Sequence, residues 1–286
     1  MSLKNTIRCG NMEFHWGERT YVMGVVNATP DSFSGDGNTD IETAVAQGCR
    51  FVEEGADILD IGGESTRPGF IEVSAEEEIR RVVPVIERLA ARTKAPISID
   101  TTKYEVARQA LAAGAAIIND QWGLKAEPRL AELAATNNAL IMLMSNQRDT
   151  GGYDANVGRD TAGYSNVIAE VIASLQRSVK TAEQAGVPKE NIIIDPGIGF
   201  GKAWQQDIEI IRRLRELQVI GLPILVGTSR KSLIKMVLNL PANQRVEGTA
   251  ATVAVSIANG ADIVRVHDVK QMARVCKMTD AIVRGI

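Results

Sequence analysis

The most constraining feature of this chain is the regular alternation of short apolar runs with longer segments of helical periodicity. Short runs rich in Ile, Val and Leu are typical of buried parallel strands. The pattern predicts strands at 20–26, 57–61, 96–99, 115–118, 139–144, 191–194, 223–226 and 262–266. It predicts helices at 40–55, 74–92, 103–112, 127–137, 161–186, 203–218, 246–259 and 269–284, with a short extra helix at 231–239. Eight strand–helix units predict an α/β protein, a single closed (β/α)8 TIM barrel with its active site at the C-terminal ends of the strands.

Four glycines support this assignment of helix ends. Gly55, Gly114, Gly186 and Gly260 each follow a helical segment and precede an apolar run, where a left-handed helix cap is expected. No low-complexity linker divides the chain. We therefore expect a single domain over residues 1–286, with a short lead-in at about 1–19 before the barrel.

Composition narrows the classes of protein that the chain can be. A net charge of -3 argues against a surface devoted to nucleic acid. There is neither a basic, apolar leader nor a run of about 18 apolar residues, which disfavours secretion and membrane insertion and predicts a cytoplasmic protein. Cys9, Cys49 and Cys276 are widely spaced and lack a CxxC pair, so we expect free thiols and no thiolate metal site.

Polar residues follow each predicted strand, where a barrel of this kind carries its catalytic groups. These strand-end residues are Asn27, Asp60, Gly62, Gly63, Asp100, Asn119, Asp120, Ser145, Asn146, Asp195, Ser229, Arg230, Lys231, Arg265 and His267.

Asp100, Asn119 and Asp195 end three different strands, so we expect them to converge on one polar ligand deep in the barrel. Two carboxylates and an amide suit a heterocycle with several N–H donors and ring nitrogens, such as one with a guanidine-like edge. The alternative is that Asp100 and Asp195 only cap the helices that follow them.

Four basic residues would give the barrel a positive rim above this acidic set. Lys231, Arg265, His267 and Arg67 end or follow different strands. Arginine can bind phosphate oxygens with two N–H groups, whereas lysine acts as a point charge. The cluster predicts a substrate with an anionic leaving group, although each cation taken alone is compatible with a solvated surface position.

Other motifs exclude further classes of site. GIGFGK lacks the spacing of a phosphate-binding P-loop, and two histidines are too few for a multi-histidine zinc site. His15 precedes the barrel and is expected to be structural. The loops at 27–37, 62–69 and 145–158 are rich in small and polar residues; we expect the first two to act as lids, with flexible linkage as the alternative.

With these residues in place, the chain from about Val22 to the C-terminus resembles the dihydropteroate synthase family. The resemblance is carried by MGVVNATPDSFSGDG, DIGGESTRPG, SIDTTK, IND, DPGIGFGK, GTSRKS, EGTAA and RVHDV, in family order and spacing. It implies a folate-pathway enzyme that condenses 7,8-dihydropterin-6-ylmethyl diphosphate with 4-aminobenzoate, releasing pyrophosphate and giving dihydropteroate. It also implies Mg²⁺ as cofactor, a homodimer, and sulfonamides as inhibitors.

The resemblance also implies a role for particular residues. Pterin binding would use Asp100, Asn119, Asp195 and Lys231. Diphosphate binding would use Asn27, Thr66, Arg67, Arg265 and His267, with Asn27 also bound to Mg²⁺. Aminobenzoate would lie near Phe33, Thr66, Pro68, Phe200 and Ser232. Catalysis would depend on Lys231, Arg265, His267 and Asp100, and we expect Arg265→Ala and Lys231→Ala to abolish most turnover while leaving the fold intact.

Two segments depart from the family's usual pattern. Ser145-Asn146-Gln147 follow the fifth strand, where the family usually has Met-His and a polar run, and Gln121-Trp122 stand where small residues are usual. Two alternatives therefore stay open. One is a pterin-binding paralogue without turnover; the other is a methyltetrahydrofolate:corrinoid methyltransferase, a class that lacks the SRK and STRPG segments.

Overall fold

The structure is a computed structural model that describes residues 6–10, 12–28, 37–64, 73–148 and 166–285. Two short strands precede a barrel of parallel strands, and helices follow the strands in turn. The strands are β1 (Thr6–Cys9), β2 (Met12–His15), β3 (Tyr21–Asn27), β4 (Ile58–Gly62), β5 (Ile97–Asp100), β6 (Ile117–Asp120), β7 (Leu140–Met144), β8 (Ile192–Asp195), β9 (Leu225–Val226) and β10 (Ile263–Val266). The helices are α1 (Gly37–Glu53), α2 (Ala75–Arg92), α3 (Tyr104–Ala112), α4 (Arg129–Asn137), α5 (Val167–Gln184), α6 (Trp204–Arg212), α7 (Ser232–Leu238), α8 (Val246–Ala258) and α9 (Val269–Val283).

The predicted TIM barrel is confirmed. β3 to β10 form one eight-stranded parallel sheet in the order β8-β7-β6-β5-β4-β3-β10-β9. A parallel bridge between Ile194 and Ile224 joins β8 to the segment before β9 and closes the ring. The four glycines predicted to cap helices all have positive φ, between 93° and 115°.

The two-residue period of the strands separates an apolar lower layer from a polar upper layer inside the barrel. In β6, Ile117 points into the barrel and Ile118 packs outward under the helices. Asn119, two residues after Ile117, therefore points inward again, nearer the C-terminal end. By the same alternation, Asp195 points inward above Ile193 in β8, and Arg265 points inward above Ile263 in β10.

The predicted lead-in is more than a connecting segment. β1 and β2 form an antiparallel hairpin whose side chains Ile7, Cys9 and Phe14 pack against the apolar lower layer. The Phe14 ring stacks on Trp16 at 4.9 Å and meets Tyr21 edge-on at 4.8 Å. The hairpin thus covers the N-terminal end of the barrel and leaves the C-terminal end, called the mouth below, for the site.

The clearest differences from the predicted bounds occur in three elements. The helix predicted at 203–218 is α6 followed by a 3-10 helix at Leu214–Ile220, and the strand predicted at 223–226 is reduced to β9 because Pro223 has no N–H for the ladder. The predicted helix at 161–186 is α5, and residues 161–165 lie outside the described chain. Within the residues that the structure describes, no helix has the length and apolar character to cross a membrane.

Candidate active site

Four strand-end residues with carboxylate or amide groups line the bottom of the mouth and are called the floor: Asp60, Asp100, Asn119 and Asp195. Register brings the middle two together, because Asp100 pairs with Asn119 across β5 and β6. Asp60 lies in the neighbouring strand β4 and is completely buried. The predicted convergence of Asp100 and Asn119 is thus present, and Asp60, which the sequence placed at a strand end without a ligand role, joins them.

Arg265 connects two carboxylates of the floor. Its Nε donates to Asp60 Oδ2 at 2.6 Å, and its Nη2 donates to Asp100 Oδ2 at 2.6 Å. Asn119 Nδ2 adds a weaker contact to Asp60 Oδ2 at 3.2 Å. Arg265 of the expected cationic rim is therefore bonded to the acidic floor, where it neutralises charge that burial would otherwise make unfavourable.

The Asp100 carboxyl group of the floor has a perturbed pKa. Burial raises the pKa of Asp100 to about 7, and Asp60 adds to the increase, while Arg265 and Gln121 favour the ionised form. The pairing of a buried carboxyl with a pKa near neutrality and a polar cleft is a physical signature of a functional site.

Asp100 and Asp195 do not cap the helices that follow them, as the alternative interpretation required. The residue before α3 is Lys103, which makes no side-chain cap, and the residue before α6 is Ala203. Asp195 does have a local contact, since its Oδ1 accepts the N–H of Gly197 at 2.7 Å. That bond orients the Asp195 carboxylate, which makes no capping hydrogen bond to α6.

The DPGIGFGK segment folds tightly against the loop after β7. Gly197 has a φ of +69°, and a Cβ there would lie 2.3 Å from the carbonyl oxygen of Ser145. Gly201 has a φ of +73°, and a Cβ there would lie 2.4 Å from the carbonyl carbon of Gln147. These glycines are required by close backbone packing, which holds Phe200 at the edge of the mouth.

Two lysines flank Phe200. Lys231 Nζ donates to the carbonyl of Ile198 and lies 4.7 Å from the centre of the Phe200 ring. Lys202, which the sequence did not single out, is buried and donates to the carbonyls of Phe200 at 3.0 Å and Ser145 at 3.3 Å. Burial lowers the pKa of each lysine to about 8.

Lys231 and Arg265 approach each other over the bare backbone of Gly227. A Cβ at Gly227 would lie 3.7 Å from Arg265 Cβ and 3.8 Å from Lys231 Nζ. The two cations therefore reach the mouth from neighbouring strands β9 and β10. Their proximity agrees with the predicted cationic rim.

His267 is oriented by a serine that precedes it in the GTSRKS segment. Ser229 is buried, and its Oγ accepts the backbone N–H of His267 at 3.2 Å. The same oxygen lies 3.0 Å from His267 Nδ1. A serine hydroxyl can either donate to Nδ1 or accept from it, so this contact fixes the orientation of the His267 ring in either tautomer.

Arg230, between Ser229 and Lys231, serves the scaffold. Its Nε donates to Asp268 Oδ2 at 3.0 Å, and its carbonyl accepts from Arg245 Nη1 at 2.7 Å. Arg230 has a φ of +60°, an uncommon conformation for a residue with a side chain. These contacts stabilise the turn from which Ser229 reaches His267 and Lys231 reaches the Ile198 carbonyl.

The two departures from the family pattern also have clear positions. Ser145 is fully buried, and its hydroxyl accepts from Gln147 Nε2 at 3.0 Å. Gln121 Nε2 lies 2.7 Å and 2.6 Å from the two oxygens of Asp100. The Trp122 ring is instead 5.6 Å from the Lys125 ammonium.

Several predicted ligand residues stay untested predictions. Phe33, Thr66, Arg67 and Pro68 lie outside the described residues. Asn27 is half-buried at the end of β3, Phe200 is largely buried, and Ser232 is exposed at the start of α7.

The implied Mg²⁺ would need oxygen donors at the mouth. Across the described ranges, no group of three or more His, Cys, Asp or Glu side chains could enclose a metal ion. Mg²⁺ usually keeps several waters and binds substrate phosphates together with one or two protein oxygens. The single amide of Asn27 at a strand end fits that mode of binding.

Known proteins with similar sequences and structures belong to the family that the sequence motifs resemble. Residues 23–267 match the family described as pterin binding enzyme. Dihydropteroate synthase of Clostridium beijerinckii is 48% identical over 280 residues, covering 97% of this chain and 100% of the relative. The structure of Clostridium difficile dihydropteroate synthase in the presence of pteroic acid matches with a TM-score of 0.88 at 45% identity, over 95% of this chain and 99% of that one. The Xanthomonas albilineans enzyme with 4-aminobenzoic acid matches with a TM-score of 0.88 at 41% identity, over 98% of both chains.

Proposed function

The chain belongs to the pterin-binding enzyme family and, within it, to the dihydropteroate synthases, and from that premise we propose how its mouth performs the reaction. The activity is that of a transferase in folate biosynthesis. The proposed substrates are 7,8-dihydropterin-6-ylmethyl diphosphate and 4-aminobenzoate. The observation that carries the proposal is the Arg265 network, which sets a polar floor for a heterocycle beside cations for a diphosphate.

The pterin ring would lie on the floor. Asp100, Asn119 and Asp195 offer acceptors and an amide for its N–H groups and ring nitrogens. As the diphosphate departs, positive charge develops on the pterin-methylene carbon, and preorganised carboxylates stabilise that charge. The proposed step is therefore a dissociative substitution that requires no protein nucleophile.

The departing pyrophosphate would be held by Lys231, Arg265 and His267. Lys231 contributes a positive charge at the mouth, and His267 contributes an imidazole ring that Ser229 orients through Nδ1. Arg67 and Thr66 are proposed for the same group. Mg²⁺, bound through Asn27 and the phosphates, would supply Lewis-acid stabilisation of the leaving group.

4-Aminobenzoate would enter beside Phe200 and Ser232, and Phe33, Thr66 and Pro68 are proposed to contact it as well. Its arylamine is uncharged and nucleophilic at neutral pH, so orientation contributes to the rate without a strong general base. Sulfonamide inhibition belongs to the same proposal, since a relative from Yersinia pestis has been solved with a sulfonamide drug complex.

Neither alternative function is favoured by the described site. The SRK segment, which the corrinoid methyltransferases lack, consists here of Ser229, Arg230 and Lys231. These residues contact His267, Asp268 and the Ile198 carbonyl, respectively. The floor residues proposed to bind the pterin are likewise all at the mouth, which argues against a paralogue that has lost its site.

The test is formation of dihydropteroate from both substrates, followed by chromatography with and without Mg²⁺. Product that disappears with a chelator and returns with added Mg²⁺ supports the proposal. A covalent pterin–protein adduct seen by intact-protein mass spectrometry would refute the dissociative step, and absence of product would refute the proposed substrates.

Ser229→Ala should lower turnover about tenfold, because His267 loses the hydroxyl that fixes its Nδ1. The KM for the pterin diphosphate should rise while the KM for 4-aminobenzoate stays unchanged. Ser256→Ala is the matched control: Ser256 is also buried, and among the described residues its hydroxyl bonds only to the Thr252 carbonyl within α8. Equal kinetics in both variants would contradict the role of Ser229.

A homodimer is proposed through exposed apolar side chains on α8 and α9. Val255 is 46% exposed, Met278 62% and Ile282 71%. Exposed apolar surface of this kind often marks an interface. The double substitution Met278→Asp with Ile282→Asp should give a monomer by light scattering, whereas Gln271→Asp on the same helix should not; a dimer in both would contradict this surface.

The cytoplasm is the proposed location. Cys9, Cys49 and Cys276 are free thiols. Unpaired cysteines are usual in a reducing compartment.

A further inference from the structure

Gln121 occupies a fixed position at the edge of the floor. Its carbonyl accepts from Asn146 Nδ2 at 3.0 Å, and Asn146 is itself fully buried. The preceding carboxylate, Asp120, accepts the N–H of Trp122 at 2.9 Å. These bonds tie the loops after β6 and β7 together and hold the Gln121 backbone in place.

The side chain of Gln121 is committed to Asp100. Nε2 lies 2.7 Å from Oδ1 and 2.6 Å from Oδ2, while Arg265 Nη2 lies 2.6 Å from Oδ2. Hydrogen bonds to an ionised acceptor are stronger than neutral ones. Gln121 and Arg265 thus approach Asp100 from different strands and restrict its orientation.

The other end of the same carboxamide is unusual. Gln121 is only 6% exposed, and its Oε1 is a buried acceptor without a hydrogen-bond partner among the described residues. Exchanging the amide nitrogen and oxygen would bring Oε1 against the Asp100 carboxylate, so the neighbouring charge determines the orientation. An orphaned buried acceptor is unfavourable unless a further group satisfies it.

We propose that Gln121 is a specificity-determining residue of the pterin pocket, where Nε2 positions Asp100 and Oε1 accepts an N–H of the bound heterocycle. This inference rests on the proposed pterin site. Gln121 would thus both position Asp100 and contact the heterocycle directly. Neither role changes the proposed reaction. The heterocycle would complete the hydrogen bonds of the carboxamide.

The pH dependence gives a readout that a purely structural role would not change. Asp100 is faced by Asp60 from β4, Gln121 from the end of β6 and Arg265 from β10, with Glu78 of α2 acting through space. Gln121 favours the ionised form of Asp100, whose pKa burial raises to about 7. Removing the Gln121 donor should raise that pKa further, so the acid-side loss of pterin binding should move to higher pH.

The experiment measures pteroic acid binding by calorimetry and steady-state kinetics for the wild type, Gln121→Met and Gln121→Glu. Gln121→Met retains length without hydrogen-bonding atoms, and we expect binding to weaken roughly tenfold. The KM for the pterin diphosphate should rise, and the KM for 4-aminobenzoate should stay within about twofold. Gln121→Glu keeps an acceptor but places a carboxylate beside Asp100, and it should bind more weakly than Gln121→Met at neutral pH.

Gln109→Met on α3, where the amide bonds to Glu105, is the matched control and should behave as wild type. Unchanged affinity and pH profile in Gln121→Met would overturn the inference, as would an equal rise in both KM values with a lower melting temperature. If Gln121→Glu bound pteroic acid as tightly as wild type, the positioning role of Nε2 would be wrong. Failure of the wild-type chain to bind pteroic acid would refute the proposed function as well, whereas wild-type binding with no effect of Gln121→Met refutes this inference alone.

Discussion

Arg265→Ala should lower turnover on the order of a thousandfold and also destabilise the fold. The rate falls because a preorganised cation at the departing diphosphate is lost. The stability falls because Asp60 and Asp100 are left as buried carboxylates without their shared partner. Breaking a buried ion pair by removing one side costs about 3–5 kcal/mol. The expectation from sequence that this variant would leave the fold intact is therefore revised.

A second substitution separates the two effects. Combining Arg265→Ala with Asp60→Asn removes one of the unpaired charges, so denaturant unfolding should recover part of the lost stability. Turnover should not recover, since no cation is restored. Equal turnover in wild type and Arg265→Ala would contradict the role of Arg265, and unchanged unfolding free energy would contradict its structural role.

Lys231→Ala should lower turnover on the order of a hundredfold with a much smaller effect on stability. The Lys231 ammonium is held by the Ile198 carbonyl and the face of Phe200, at the mouth and away from the apolar lower layer. Its removal takes away the strongest of the positive charges that act on Asp195, which should also weaken pterin binding. Steady-state assays measure the loss of turnover, and denaturant unfolding of the same preparation measures the change in stability.

The alkaline pH profile identifies the lysine that acts. Burial lowers the pKa of Lys231 to about 8, so its positive charge is lost as pH rises through that value and turnover should fall. Lys231→Arg keeps the charge and should move this alkaline loss to higher pH. Lys202 also has a pKa lowered to about 8, and Lys202→Gln is the comparison variant, which removes that titrating group and keeps the Lys231 side chain. If only Lys202→Gln altered the alkaline limb, Lys231 would not be the titrating group.

The barrel could be predicted because its local signals agree with one another. Apolar runs, helical segments and cap glycines such as Gly55 and Gly114 each depend on residues close in the chain. The hairpin of β1 and β2 was missed because its four-residue strands have little periodicity of their own. Their pairing is stabilised by Ile7, Cys9 and Phe14 packing on strand ends that are distant in sequence.

The site could be predicted as a set of residues but not as a set of bonds. Asp100, Asn119, Asp195, Lys231 and Arg265 were identified from their places at strand ends. The contact between Arg265 and Asp60 joins residues that are 205 positions apart, and no local pattern records it. The period of two in β4 was the available signal, since it points Asp60 into the barrel two residues after Ile58.

The roles of Gln121, Ser229 and Lys202 depended on geometry in the same way. Ser229 and Lys202 are polar residues within recognised motifs and Gln121 directly follows one, but sequence alone does not show which partners their side chains contact. Ser229 acquires its role from His267, Gln121 from Asp100, and Lys202 from the carbonyls of the loop that carries Phe200.

The most direct measurement is the stoichiometry of the reaction. Purified protein is incubated with 7,8-dihydropterin-6-ylmethyl diphosphate and Mg²⁺, with and without 4-aminobenzoate, and pyrophosphate and dihydropteroate are quantified together. The account predicts equal amounts of both products, dependent on 4-aminobenzoate. Pterin binding without either product would contradict it.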